Sequence, residues 1–364
     1  MTTISLSIPI VIAAYNRPDA LKRLLYSISH GQYEGATDIP LIISIDHSDC
    51  RDVYDIAVSF LWKYGEKIII RHAARMGLRN HVFWCGDLTR QYGHIIMLED
   101  DLLLSPLFYQ YALQAVHFYN HNDRVSVIAL HSPYYNELTH APFIPLDDNA
   151  DVYFMQVPCS YGQIWNRQHW EAFRRFVADD EAIALYEPAL PKEIRENWGT
   201  QRWKRQFLQF MLYSDTWCVY PRKGLASHVG DPGTHFGNTS IFQSNLLLEY
   251  TDFRFKHYKE NIIKYDSCHE IFPHILQQFN SSLTGYDLSC DLNGTKEIDR
   301  IATPYLLSCK RCTDAIETYA DQLVIPELNI IFRISGTGFS FGPTAAFKEE
   351  VHKNSSMAGV PGNM

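Results

Sequence analysis

The sequence predicts an α/β protein, a doubly wound and mostly parallel sheet with a smaller region appended at its C-terminal end. Three observations predict it. Strand-length runs at Ser5 to Ala14, Leu41 to Ile45 and Ile95 to Leu98 read as strands covered on both faces, and Lys67 to Ile70 as a further strand. Segments with helical spacing lie between them. Residues with chemistry to offer fall just past the strands' carboxyl ends, where open α/β sheets bind their ligands.

The first run breaks at Tyr15-Asn16-Arg17-Pro18, and Asp19 to Ser29 then carries Leu21, Leu24, Leu25 and Ile28 at helical spacing. The second run ends in Asp46-His47-Ser48. A helix over Asp52 to Tyr64 leads to the third, after which Arg71 to Asn80 is a basic loop and Val82 to Tyr92 a helix. The fourth run, beginning after Gly93, stops abruptly at Glu99, Asp100 and Asp101. Three carboxylates at the mouth of a buried strand repel one another unless cations or hydrogen bonds compensate. They suit a hard divalent cation, Mg²⁺ or Mn²⁺, which in turn can hold a diphosphate. The plain alternative is a solvated turn capping the helix that starts near Ser105-Pro106.

Further along, Phe108 to Tyr119 reads as a helix, Val125 to Leu130 as a strand, Ser132 to Ala150 as a surface run and Val152 to Val157 as a strand. Ile164 to Val177 and Asn197 to Tyr213 show helical periodicity, with a loop and short helix over Asp179 to Pro191 between them. Thr216 to Tyr220 is strand-like, and Pro221 to Thr239 is a loop bearing glycines and histidines. The character changes near Thr251, beyond which short strand and loop patterns appear, including Asp291 to Thr295 and Asn329 to Ile334. The expected organisation is a principal domain over 1–250, with a nucleotide-binding half over about 1–105 and an acceptor half over about 106–250. A small α/β region follows over 251–347, then a loose tail over 348–364.

With 46% hydrophobic and 20% charged residues, the composition is that of a globular protein, and a net charge of −9 argues against a nucleic-acid partner, which would need a basic face. Among the eight cysteines, Cys309 and Cys312 form the one close pair, with no second pair or histidine set nearby to complete a zinc site. They read as structural thiols, with a redox pair as the alternative. Four asparagines, including Asn238, fit the N-glycosylation pattern, which carries little weight without a signal peptide. No secretory h-region or long apolar span is evident, so the expected location is the cytoplasm.

The stretches PIVIAAYNRPDALKRLL, IISIDHS, IIMLEDDLLLSPLFYQYA, SYGQIWNRQHW and WCVYPRKGLASHVG, in that order over about residues 8–240, resemble glycosyltransferases of the GT-A fold. More narrowly, they resemble the Golgi N-acetylglucosaminyltransferase I family and its bacterial relatives. The resemblance implies a nucleotide-sugar donor, usually a UDP-sugar, a divalent cation (Mn²⁺ or Mg²⁺) and inversion at the anomeric carbon. By position it gives Tyr15 and Arg17 to the donor, and Asp46 to the uracil imide, which an acceptor-only carboxylate suits. Glu99 and Asp100 go to the ribose and sugar, and Asp101 to the metal bridging the diphosphate.

Arg79 is a further candidate for the phosphates, and His228 or His235 for the metal shell or diphosphate. Trp165, Trp198 and Trp203 could line an acceptor pocket, although their spacing among apolar residues is that of a core. The family's base is an aspartate following a tryptophan. None follows Trp198 here, which leaves Glu196, the preferred choice, and Asp215 as the carboxylates near that point. The bacterial look of the chain suggests a glycan or lipid-linked acceptor in surface polysaccharide synthesis, the latter compatible with peripheral membrane contact. Two rivals are a sugar nucleotidyltransferase, which normally shows a glycine-rich phosphate loop that AAYNRPDA is not, and a nucleotide-sugar-binding protein without turnover.

Overall fold

A computed structural model of the chain describes residues 7–231, 242–249, 252–260 and 263–358, with side chains described as far as 352. His235 and Asn238 lie outside the described residues. The chain divides into two compact units. The first comprises Met1–Tyr134, Asn149–Leu190 and Trp198–Ile262, and the second Tyr135–Asp148, Pro191–Asn197 and the chain from Ile263 on.

In chain order the first unit begins with β1 (Ile10–Ala14), α1 (Pro18–Ser29), β2 (Leu41–Ile45), α2 (Arg51–Ser59), β3 (Lys67–Arg71), α3 (Leu78–Asp87), α4 (Thr89–Tyr92) and β4 (His94–Glu99). It continues through β5 (Leu102–Leu104), α5 (Phe108–Tyr119), β6 (Val125–Ala129), β7 (Val152–Met155), β8 (Gln163–Asn166), α6 (Arg167–Phe176) and α7 (Asp180–Tyr186). After α8 (Lys192–Asn197), which belongs to the second unit, come α9 (Trp203–Ser214), β9 (Trp217–Pro221) and β10 (Ala226–His228).

The sheet of the first unit runs β7-β9-β6-β8-β4-β1-β2-β3. β1, β2, β3 and β4 are parallel, β6 and β9 run the same way, and β8 and β7 oppose them. This is the doubly wound, mostly parallel α/β arrangement that the sequence predicts. β1, β2 and β6 are buried at every residue, which is why their sequences show no alternation. The order reverses between β1 and β4, so the crevice outside the carboxyl ends of these two strands is the topological switch point.

One element of the sheet departs from expectation. Ile164 and Trp165, expected in a helix, lie in β8, which pairs antiparallel with both β4 and β6. The helix starts only at Arg167, where the Asn166 side chain accepts from His169 N at 2.9 Å and caps it. Trp165 then stacks on Trp170 at 4.3 Å between ring centroids. Trp165 and Trp203 are core, and Trp198 is half-buried.

In the second unit, β11 (Lys264–Tyr265) and α10 (Pro273–Phe279) precede β12 (Leu288–Asp291), β13 (Tyr305–Ser308), β14 (Glu317–Tyr319), α11 (Pro326–Ile331), β15 (Phe339–Pro343) and α12 (Thr344–Ala358). Four of these strands form a sheet in the order β12-β13-β15-β14. Asn329 to Ile334, expected as a strand from its isoleucines, instead closes α11, which Pro326 opens and Arg333 ends at φ 51°. The turn after β12 is held from inside by buried Glu270, which accepts from Leu292 N and Asn293 N, each at 2.7 Å. All eight cysteines are free, and Cys309 is exposed while Cys312 is buried. Among the described residues no helix is long and apolar enough to cross a membrane.

Gly86 in α3 tests the packing between this helix and α6. A Cβ there would stand 2.0 Å from the Trp170 ring. Gly86→Ala is expected to cost about 1–3 kcal/mol through overpacking, read as a lowered denaturation midpoint. An unchanged midpoint would contradict the packing described.

Candidate active site

The register of the sheet assembles the site. β1 pairs with β4 so that Ala13 stands beside Glu99, and with β2 so that Ala14 stands beside Ile45. The next residues of all three strands, Tyr15, Asp46 and Asp100, therefore meet at one edge. Tyr15 N donates to Asp100 Oδ2 at 3.1 Å, and Asp46 N to Ala14 O at 2.9 Å. Pro18 opens α1 directly afterwards, leaving Arg17 as the residue before the helix and setting its positive end at this crevice.

Arg17 bridges two carboxylates. Its Nη2 binds Asp100 Oδ1, and its Nη1 lies 2.7 Å from Asp101 Oδ2. β5 and β10 pair antiparallel, with Leu102 opposite His228, which brings the imidazole to the same carboxylate. His228 Nε2 lies 3.1 Å from Asp101 Oδ2, and Val229 N donates to Asp101 O at 3.2 Å. The buried His228 Nδ1 has no hydrogen-bond partner among the described residues. Arg17, Asp100, Asp101 and His228 thus form one connected group, with Tyr15 attached through its main chain.

The electrostatics follow from burial. Burial disfavours ionisation of Asp101, but His228 and Arg17 outweigh it and hold the carboxyl below its usual range. Asp100 is pushed up to about 7 by burial, against the pull of Arg17. Glu99 is pushed up to about 8, first by burial and then by the like charges of Asp101 and Asp100. Three acids thus share one buried strand mouth, and among the described residues Arg17 and His228 are the side chains bonded to them.

Asp46 has a different employment. Its Oδ1 accepts from His47 N at 2.8 Å and Met76 N at 2.7 Å, and its Oδ2 from Gly77 N at 3.1 Å. It pins the loop between β3 and α3 against β2. Behind it, Ser44 Oγ joins His72 Nε2 at 2.9 Å and His81 Nε2 at 2.8 Å, and burial pushes His81 down to about 4, so it is neutral.

Two residues of the first unit singled out in the sequence, Arg79 and Asp215, are not drawn into this group. Arg79 points along α3, its Nε 2.9 Å from Gln206 Oε1 and its guanidinium over the Phe83 ring. Asp215 precedes β9 and pairs with Arg124, which precedes β6. Both stand at the amino ends of strands parallel to β4, on the edge of the sheet opposite Glu99. Glu196 lies on α8 in the second unit, 55% exposed and 3.9 Å from Lys192. Sequence reasoning missed Arg75, whose Nε is 3.1 Å from Asp46 Oδ2 and whose Cζ stands 3.6 Å from the centroid of the Tyr15 ring. The basic run from Arg71 to Asn80 was its signal, but charge alone does not tell which arginine faces the crevice.

Because Glu99 binds its proton more tightly in the folded chain than at the unfolded value near 4.3, stability falls as pH rises from about 4 to about 8. Glu99→Gln removes that dependence. In metal-free buffer the variant is expected to gain melting temperature over wild type at pH 8 and none at pH 4. Equal differences at both pH values would contradict the strain assigned to this carboxyl.

No family model and no curated protein matches the chain. Among solved structures it is similar to TarS 1–349 from S. aureus, at 10% identity and a TM-score of 0.39 over 60% of this chain and 59% of that one. It is also similar to the mannosyltransferase PcManGT from Pyrobaculum calidifontis, solved with GDP-Man and Mn²⁺, at 10% identity and a TM-score of 0.33 over 48% of this chain and 47% of that one. The chain thus spans less than two thirds of either. At this level of likeness neither carries an argument, and strand order and carboxylate geometry carry the functional reading instead.

Proposed function

We propose that the chain is a GT-A glycosyltransferase that moves a hexosyl or N-acetylhexosaminyl group from a UDP-sugar to a glycan or lipid-linked acceptor. The observation that carries this reading is the acidic group Glu99-Asp100-Asp101 at the β1–β4 switch point, bridged by Arg17. Tyr15 and Asp46 take the base, Arg17 the diphosphate, and Glu99 and Asp100 the ribose and sugar. These assignments join the geometry of the site to the resemblance noted in the sequence.

The donor set fits a divalent cation shared with the substrate. Asp101 Oδ2 and His228 Nε2, hydrogen-bonded to each other at 3.1 Å, would hold the cation by exchanging that bond for it. Among the described residues no third metal-ligating side chain joins them, so the substrate's diphosphate would have to supply further ligands. The chemistry that Mn²⁺ or Mg²⁺ would supply there is to offset negative charge on the departing nucleotide. Arg17, bonded to the same Asp101 oxygen as His228, would hold the diphosphate and orient the donor.

The reaction is a direct displacement with inversion. The acceptor hydroxyl oxygen bonds to the anomeric carbon, its proton passes to a base, and the bond to the UDP oxygen breaks. On the resemblance alone, from its place just before Trp198 in the sequence, Glu196 is the proposed base. Its exposed carboxylate, at 3.9 Å from Lys192, is not committed to a tight hydrogen bond. The acceptor belongs to bacterial surface polysaccharide synthesis in this reading, with the enzyme in the cytoplasm and in peripheral contact with the membrane where the acceptor is lipid-linked.

Calorimetric titration with UDP and a panel of UDP-sugars, with and without Mn²⁺, tests the reading. Wild type is expected to bind them in a metal-dependent way, and Asp101→Ala to lose at least tenfold in affinity. Absence of uridine-nucleotide binding in wild type would overturn it. Glu196→Gln is expected to keep donor binding and to lower kcat by about 10²–10⁴-fold. An unaltered kcat would remove Glu196 as the base.

A further inference from the structure

Asp46 is 3% exposed, and three main-chain N–H groups occupy three of the roughly four acceptor positions of its carboxylate. The position left is on Oδ2, and Arg75 is ion-paired with that oxygen, its Nε 3.1 Å away. The same guanidinium stands over the Tyr15 ring, Cζ to centroid 3.6 Å. Arg75 is therefore a flat group bearing N–H donors, seated on an aromatic ring with one edge toward a buried carboxylate. Those are also the features by which a nucleobase would be held between Tyr15 and Asp46. The three other partners of Asp46 are main chain, whereas the Arg75 side chain is 45% exposed, which makes it the exchangeable one.

We propose that Arg75 is a built-in stand-in for the nucleobase, filling the base position between Tyr15 and Asp46 and leaving when the donor nucleotide binds. This rests on the nucleotide-sugar reading above and adds a residue that sets its affinity and base preference. A guanidinium on an aromatic face and a carboxylate relieves the charge of Asp46 and keeps the ring of Tyr15 covered. The incoming base must displace it, so the contact opposes nucleotide binding. With one acceptor position released, Asp46 serves a base edge with a single ring N–H, the imide of uracil. Guanine presents two adjacent N–H donors and would leave one unpaired in a desolvated pocket.

The test is titration of the full chain, with Mn²⁺ present, using UDP, GDP and inorganic diphosphate as probes. Arg75→Ala is expected to bind UDP more tightly than wild type, by on the order of tenfold, with diphosphate affinity unchanged. Arg75→Lys, which keeps the charge but not the flat fork, is expected to fall between the two. GDP is expected to bind more weakly than UDP to both wild type and Arg75→Ala. Thermal melts confirm that the variants fold, since Asp46 keeps its three main-chain partners. Unchanged or weakened UDP binding in Arg75→Ala would overturn the proposal. Weakening of both UDP and diphosphate, restored by lysine, would identify Arg75 instead as a phosphate ligand. If wild type binds diphosphate but no nucleotide, the nucleotide-sugar reading itself fails, and the stand-in role with it.

Discussion

The seam between β1 and β4 governs the first unit's chemistry, because it forces Arg17 against Asp100 and Asp101. The parallel register fixes Tyr15 beside Asp100, and Pro18 starts the next helix before the chain can turn away. Arg17 is left with two carboxylates to satisfy, while burial and the like charges beside it keep Glu99 above its usual range. A fold that only needed stability would not concentrate three acids at the mouth of a buried strand, since replacing them by apolar groups avoids their desolvation. Their presence makes sense as stored affinity for positive charge, the demand that the proposed cation would meet. His228, delivered by a short two-stranded ribbon rather than by the main sheet, adds an imidazole to the same oxygen.

Much of this was legible in the sequence, for physical reasons that vary by element. Strands covered on both faces must be apolar throughout, so IVIAA and LIISI announce themselves, and residues just past such runs fall at the carboxyl edge without further information. Tyr15, Arg17, Asp46 and the acidic run were placed that way. β8 was hidden because QIWN joins a helical pattern without a break, and its partners β4 and β6 are distant in sequence. Asn329 to Ile334 misled for the opposite reason: β-branched residues favour strands on average, yet Pro326 had already set a helix.

Side-chain direction was the part sequence could not supply. Arg75 and Arg79 share one basic loop, but one turn of helix sends Arg79 toward Gln206, while Arg75 lies over Tyr15. The role of Asp46 was half visible. Its position at a strand end is a matter of local pattern, whereas its donors Met76 N and Gly77 N arrive from a loop about 30 residues on. Asp215 carried a plausible charge, and only the strand directions reveal that it sits at the amino edge, paired with Arg124.

Hydrogen exchange read peptide by peptide, with UDP and Mn²⁺ added to the full chain, tests the location of the proposed donor site most directly. The account predicts new protection over residues 14–17, 46–47, 72–77 and 99–102, where β1, β2, β3 and β4 end, with the amino edge around Arg124 and Asp215 unaffected. Protection concentrated at that amino edge, or no change at the four carboxyl ends despite measurable nucleotide binding, would contradict it.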